Sequence, residues 1–231
     1  EMYKYLQLIE NPMSDFQYTN YIASLNEDTK RRKRNKVDMA EDEMLAASMG
    51  ITVSELRAMD KHRSNQLVTY RKSIGDTVGR MGLIMIYPTA KSGEIDDIVG
   101  NPNLRGFDNC FNVQKGSAKT KYKYKSFCAG FLKRENVETY SKKFATIYDC
   151  ITTSKGIIFV HIPYKEPAKS FCMMLEEGGY SKWNGKNFLD TGVKSNGVKY
   201  LFLTGDTSKK NLNEGIAALN KNTNINGEEI K

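Results

Sequence analysis

Long hydrophobic runs are missing from these 231 residues. Apolar stretches such as Leu83–Tyr87, Ile157–Val160 and Tyr200–Leu203 fall far below the ~18–20 residues that span a bilayer, which excludes a membrane partner by this route. The opening EMYKYLQLIE has neither a basic n-region nor an apolar h-region, so no secretory signal is read there. Position 1 is Glu rather than Met, and the chain is expected to be an internal piece of a longer protein. Cysteine and histidine are scarce. The four cysteines stand at 110, 128, 150 and 172 with no C-x-x-C pair, and His62 and His161 lie far from any cysteine pair, a spacing that argues against zinc. Cys150 and Cys172 fall in or beside helical apolar faces and are expected to be reduced core thiols, in a reducing compartment.

Positive charge is not scarce. Lys and Arg number 35 against 27 Asp and Glu, a net charge of +8, which favours polyanionic partners such as nucleic acid. A lysine-rich surface of compositional origin accounts for the same number.

Ser14-Asp15 followed by Gln17 reads as a helix start with a capping-box arrangement. Phe16, Tyr18, Tyr21, Ile22 and Leu25 supply its apolar side. The helix is expected to end in the basic run Lys30–Lys36, which reads as a solvated linker, with phosphate contact or nuclear localisation as alternatives. Residues 37–67 read as two helices broken at Gly50, the second capped by Thr52 or Ser54. A DNA-reading helix-turn-helix is declined because Glu55, Leu56 and Arg57 occupy the positions that would reach bases. Leu83–Tyr87, stopped by Pro88, reads as a short strand or extended linker. Residues 88–126 show little periodicity. Within them Lys115–Lys125 (KGSAKTKYKYK) alternates lysine with tyrosine, readable as a stacking track for a single strand, or as a surface loop or edge strand kept soluble by lysine.

Tyr140, Phe144, Ile147, Tyr148 and Ile151 fall on one face of a helix, closed by Gly156. Ile157–Val160 then reads as a strand buried on both faces. Ala168, Phe171, Cys172 and Leu175 make a second helical stripe stopped by Gly178-Gly179. Tyr200–Leu203 reads as a second strand, ending at Thr204-Gly205-Asp206. Strand, helix and strand make a βαβ unit, in which ligands gather at the carboxyl ends of the strands.

YSKKF, SKGIIFV, LEEGGY, LTGDT and the terminal NINGEEIK, in this order, resemble the second motor domain of superfamily 2 helicases from large DNA viruses, closest to the poxvirus early-transcription-factor and helicase type. The resemblance covers roughly residues 128–231, and PMSDFQYTNY (Pro12 to Tyr21) resembles the segment after the first motor domain. It implies an α/β fold: a partial RecA-like (P-loop NTPase-type) C-terminal helicase domain with parallel strands, preceded by a helical connector. The boundaries expected are a connector over 1–35, a helical insertion and linker over 36–87, an irregular basic loop region over 88–127, and the first half of the RecA-like domain over 128–231. It further implies an ATP-dependent nucleic-acid helicase or translocase using ATP and Mg²⁺ in the full-length protein. The implied partners are DNA or RNA, the first helicase domain and viral transcription machinery, in the virion or host cytoplasm.

Motor chemistry needs a P-loop, an acidic Mg²⁺ motif and an arginine finger. Gly185-Lys186 is followed by Asn187 rather than Ser or Thr, and Asp42-Glu43 lies in a polar helical segment instead of at a strand end. Catalytic residues are therefore not expected here, and this piece alone is expected to be inactive in ATP hydrolysis. The nucleic-acid side remains. The resemblance places a backbone contact at the end of the first strand and the start of the next helix, where His161 to Lys165 stand; Lys165 and Lys169 can add charge nearby, and after the second strand Gly205 permits close backbone approach beside Thr204 and Thr207. His161-Ile162 departs from the small hydroxyl pair of the family. Physically, a helix N-terminus there offers N–H groups to a phosphate, and Thr204 or Thr207 a hydroxyl. Asp206 is expected to cap the next helix, because its carboxylate repels phosphate. The alternatives are a non-enzymatic nucleic-acid-binding module and a viral structural protein with a helicase-like fold.

Overall fold

A computed structural model describes residues 9–59, 81–88, 106–114, 121–183, 185, 187–190 and 192–231. The C-terminal part of the second helix read over 51–67, residues 115–120 of the lysine–tyrosine stretch, and Lys186 lie outside them.

The chain begins with α1 (Asp15–Met49), capped by Ser14, whose side chain accepts from Gln17 N. The Gln17 side chain does not close a capping box. Its Nε2 donates to Gly82 O at 3.2 Å and its Oε1 accepts from Lys142 N at 3.3 Å, so this buried amide ties the first turn of α1 to two distant segments. The helix does not stop at the basic run but continues through it for 35 residues in all. Lys and Arg are good helix formers, and no Gly or Pro interrupts residues 15–49. Gly50 ends it at φ 66°, donating to Ala46 O and Ala47 O. In α2 (Val53–Met59), Thr52 Oγ1 accepts from Glu55 N while Glu55 Oε2 accepts from Thr52 N, a reciprocal cap.

Met81, Met85, Ile86 and Tyr87 are fully buried. Met81 and Gly82 are helical and residues 83–84 turn, Ile84 N and Met85 N both donating to Met81 O, so no strand forms over 83–87; residues 85–88 lack regular structure and are held by Ile86 N donating to Tyr140 O. The stretch expected to be irregular folds, in its described residues, into α3 (Gly106–Cys110), β1 (Phe111–Gln114) and β2 (Lys121–Tyr124), the two strands pairing antiparallel. Tyr122 and Tyr124 pack against Phe107, Phe111 and Phe131 with ring centroids 5.2–6.1 Å apart, mostly edge to face or tilted, as aromatic quadrupoles prefer. Rings spent on this cluster are not offered to bases. The stacking track is replaced by a strand whose lysines face outward.

Next come α4 (Arg134–Tyr140) and α5 (Lys142–Thr153), separated by Ser141 alone. Ser141 caps α5 by accepting from Phe144 N and donates its hydroxyl to Ile84 O at 2.5 Å. Ser141→Ala is expected to cost about 1–2 kcal/mol, the scale of a buried cap that also satisfies a carbonyl, measured as a shift of the urea midpoint at constant slope. Phe144 and Ile151 are buried on the face read from the sequence, and Tyr140, Ile147 and Tyr148 pack beside them. Then follow α6 (Lys165–Glu177), β3 (Ser181–Lys182), β4 (Lys199–Tyr200) and α7 (Lys209–Leu219), the last capped by Ser208.

The described residues thus mix helix with two small sheets. The second sheet is parallel: β3 pairs with β4, and Lys199 on the other side of β4 bridges in parallel to Ile230. Trp183 N donates to Tyr200 O at 2.8 Å, extending the β3–β4 ladder. The pairing expected between 157–160 and 200–203 is not found. Ile157–Ile162 is extended but unpaired, and only one of its faces is covered: Ile158, Val160 and Ile162 pack on the core, while Ile157 and Phe159 are exposed, the latter by 88%. Uniform hydrophobicity could not reveal this, because alternation in burial here is not alternation in polarity.

Candidate nucleic-acid interface

The two apolar segments nevertheless face each other across a cleft of about 620 Å³. Its floor is made by Phe171, Cys172 and Leu175 of α6, with Ile151 of α5 and Tyr200 of β4. The stripe on α6 read from the sequence is this floor. Leu201 packs toward α7 at Gly215, where an added Cβ would lie 2.9 Å from a Leu201 methyl.

The segments run in the same direction, and both ends are fixed. At their start, Gly156 N donates to Asn226 O and Lys231 Nζ to Ser154 O, while Glu229–Lys231 pairs with Lys199. At their finish, Lys165 Nζ meets Asp206 Oδ2 at 2.5 Å. His161, Lys165, Thr204 and Gly205 all line this one cleft. Residues about forty positions apart are thereby brought to the same end.

The remaining candidates lie elsewhere. Lys169 is outside the cleft lining, its Nζ 5.7 Å and 5.8 Å from the ring centroids of Phe107 and Tyr122, a cation–π placement that couples α6 to α3 and β2. Thr207 Oγ1 accepts from Thr204 N, Thr204 Oγ1 accepts from Asp206 N, and Thr207 N donates to Thr204 O. The Thr204–Thr207 turn is therefore closed on itself, leaving the hydroxyl protons of both threonines to donate outward. Gly205 has open space where a Cβ would stand and no positive φ, so no close approach within the chain requires glycine there.

Asp206 does not cap α7; Ser208 does, accepting from Asn211 N. The Asp206 carboxylate is instead held below its ordinary pKa by the hydrogen bond and charge of Lys165, whose own pKa rises for the same reason. Both side chains are exposed. This partner of Lys165 was missed because the two are 41 positions apart; the βαβ pattern, which sets both at carboxyl ends of the apolar segments, was the signal available. His161 is exposed on the cleft wall.

No family model, curated protein or solved structure matches the chain. Function must therefore be argued from these side chains.

The α6 N-terminus is a poor triphosphate cradle. Lys165 and Glu166 offer free backbone N–H groups, Pro167 has none, and Ala168 N is already committed to Tyr164 O. Glu166 adds a carboxylate in the same turn. Among the described residues, no group of three or more His, Cys, Asp or Glu side chains is placed to hold a metal ion, and no helix is long and apolar enough to cross a membrane.

Behind the cleft lies a buried acid that sequence patterning did not single out. Glu176 is 1% exposed. Its Oε1 accepts from Phe188 N at 2.8 Å and from the Tyr200 hydroxyl at 2.5 Å, and its Oε2 accepts from Leu189 N at 2.7 Å. Burial raises its pKa above the usual carboxylate value although all three donors oppose this. Burial likewise raises the Tyr200 phenol far above its ordinary range, which keeps it a donor. This carboxylate sits at the end of the apolar stripe of α6, inside the run LEEGGY, where the second Glu177 resembles an ordinary solvated terminus.

Proposed function

We propose that this chain supplies a nucleic-acid contact surface to an ATP-dependent helicase or translocase of the superfamily 2 type. The observation that carries the reading is the convergence of His161, Lys165, Thr204 and Gly205 at one end of a single cleft. A cation, outward-donating hydroxyls and free helix N–H groups at one place are the groups that hold a sugar-phosphate backbone without reading its bases. The +8 net charge and the ordered motifs of the second motor domain support the same reading. Because the α6 terminus does not suit a triphosphate, ATP and Mg²⁺ belong in this reading to a first motor domain elsewhere in a longer protein. A RecA-like identity for the sheet, a role in viral transcription and a virion or host-cytoplasmic setting are parts of the proposal.

The test is fluorescence anisotropy of a labelled single-stranded DNA or RNA oligonucleotide against the 231-residue chain over a salt series. Binding is expected to weaken as salt rises, and Lys165→Ala to lower the salt slope by about one. Asp206→Asn, which releases Lys165 from its carboxylate, is expected to tighten binding. Salt-insensitive binding, or an Asp206→Asn chain that binds no better than the parent, would overturn the assignment.

A further inference from the structure

Away from the cleft, the fold brings two of the four free thiols together at the end of the antiparallel strand pair. Phe111 of β1 is paired with Tyr124 of β2, so Cys110, the last residue of α3, stands opposite Lys125. Lys125 N donates to Cys110 O at 2.9 Å. The 3₁₀ turn Ser126–Cys128 then folds back, with Cys128 N donating to Lys125 O at 3.0 Å. That turn returns Cys128 to the end of the ladder, beside Cys110. The two sulfurs lie within hydrogen-bonding reach of each other, and the Cys110 thiol also donates to Pro88 O at 3.4 Å. Cys110 is 0% and Cys128 1% exposed, in one cluster with Phe107, Phe111 and Phe131. The other two cysteines belong to other elements: Cys150 is exposed on α5, and Cys172 of α6 lies in the cleft floor.

We propose that Cys110 and Cys128 are a redox pair, a dithiol that closes into an intramolecular disulfide with a low-molecular-weight disulfide such as oxidised glutathione as oxidant. One thiolate of the pair attacks a sulfur of the oxidant, giving a mixed disulfide and releasing the first small thiolate. The second thiolate attacks the protein sulfur of that mixed disulfide, forming the Cys110–Cys128 bond and expelling the other small thiolate. The two thiol protons pass to the two leaving thiolates, and the oxidant gains the two electrons that the pair loses. Burial decides when this happens. It pushes the Cys110 thiol far above its ordinary pKa, and the thiolate is the attacking form. The closed fold is therefore slow to react, and exchange runs through opening of the strand pair or through folding itself. Once made, the bond is shielded by the same burial. It ties the start of β1 to the turn after β2, which restricts the unfolded chain far more than a fold whose sulfurs already meet. Lys169 of α6 sits over Phe107 and Tyr122 in this region, so the bond fixes the surface on which α6 is seated. The pair does not depend on nucleic-acid binding.

In the experiment, the 231-residue chain is unfolded in urea and refolded by dilution into equal reduced and oxidised glutathione. A second sample is refolded in reduced glutathione alone. Exchange is quenched with acid, free thiols are blocked in acidic urea with a maleimide, and the sulfur pairing is read by mass spectrometry of peptides cut without reduction. The expected product carries a Cys110–Cys128 bond, with Cys150 and Cys172 left out of it. That product is expected to unfold at a urea concentration higher by roughly 1 M than the reduced chain. A refolded chain in which Cys110 and Cys128 are not joined to each other would overturn the proposal, as would a bond from either one to Cys150 or Cys172. A Cys110–Cys128 chain that unfolds at the same urea concentration as the reduced chain, or a lower one, overturns it too, because the fold then opposes the bond.

Discussion

Glu176→Ala is expected to destabilise the fold by about 3–5 kcal/mol, from the penalty of orphaned buried donors added to a cavity. Three donors converge on this carboxylate from two elements: Phe188 N and Leu189 N in the loop before β4, and the Tyr200 hydroxyl in β4. Removing the acceptor leaves all three without a partner, and a loss of this size is a large share of the ~5–15 kcal/mol that holds a typical domain. Glu176→Gln keeps the volume but turns one oxygen into a donor facing another donor, and is expected to cost about 1–3 kcal/mol. The pH dependence follows from the raised pKa. The contribution of Glu176 is complete below its unfolded value, about 4.3, and is lost as pH rises through the folded value. Asp149 acts in the opposite sense. Its carboxyl, held low by the two hydrogen bonds from Arg134 at 2.7 and 2.6 Å, contributes above its unfolded pKa and loses that contribution on acidification. Urea midpoints measured from about pH 4 to 8 check this: the Glu176→Gln chain should show less loss of stability toward high pH than the parent does.

Gly227→Ala is expected to destabilise the fold by about 2–5 kcal/mol. Gly227 has φ 67°, where a Cβ costs about 1–2 kcal/mol by itself, and that Cβ would lie 2.3 Å from Gly156 O and 2.7 Å from its carbonyl carbon. Both obstacles are backbone, so no rotamer change relieves them, and overpacking of this kind adds about 1–3 kcal/mol. The strain falls on the contact that sets Asn226 against Gly156 and leads Ile230 to Lys199. Gly50 supplies the control: its φ is 66°, but open space surrounds it. Gly50→Ala is therefore expected to show only the conformational part, and equal thermal shifts for the two variants would refute the packing argument.

Legibility in the sequence followed the strength of the local pattern. The helices over 142–153 and 165–177 stood out because apolar residues repeat at helical spacing and are followed by Gly156 and Gly178-Gly179. The long helix over 15–49 was cut short on paper because a dense basic run resembles a linker, although its side chains favour helix. The antiparallel strand pair of 111–114 and 121–124 was hidden for a different reason. Its lysine–tyrosine alternation suits both a solvated track and an edge strand, and only the distant rings of Phe107 and Phe131 decide between them. At the cleft, the gathering of His161, Lys165 and Thr204 followed from placing two apolar segments side by side. The Lys165–Asp206 pair could be reached from the same placement, whereas the donors on Glu176 depend on loop geometry that no spacing rule encodes.

The chain has a single tryptophan, and its placement makes it a built-in optical gauge. Trp183 is half-buried immediately after β3, with its amide on the carbonyl of Tyr200, so its emission reports loosening of the parallel ladder from a single known position.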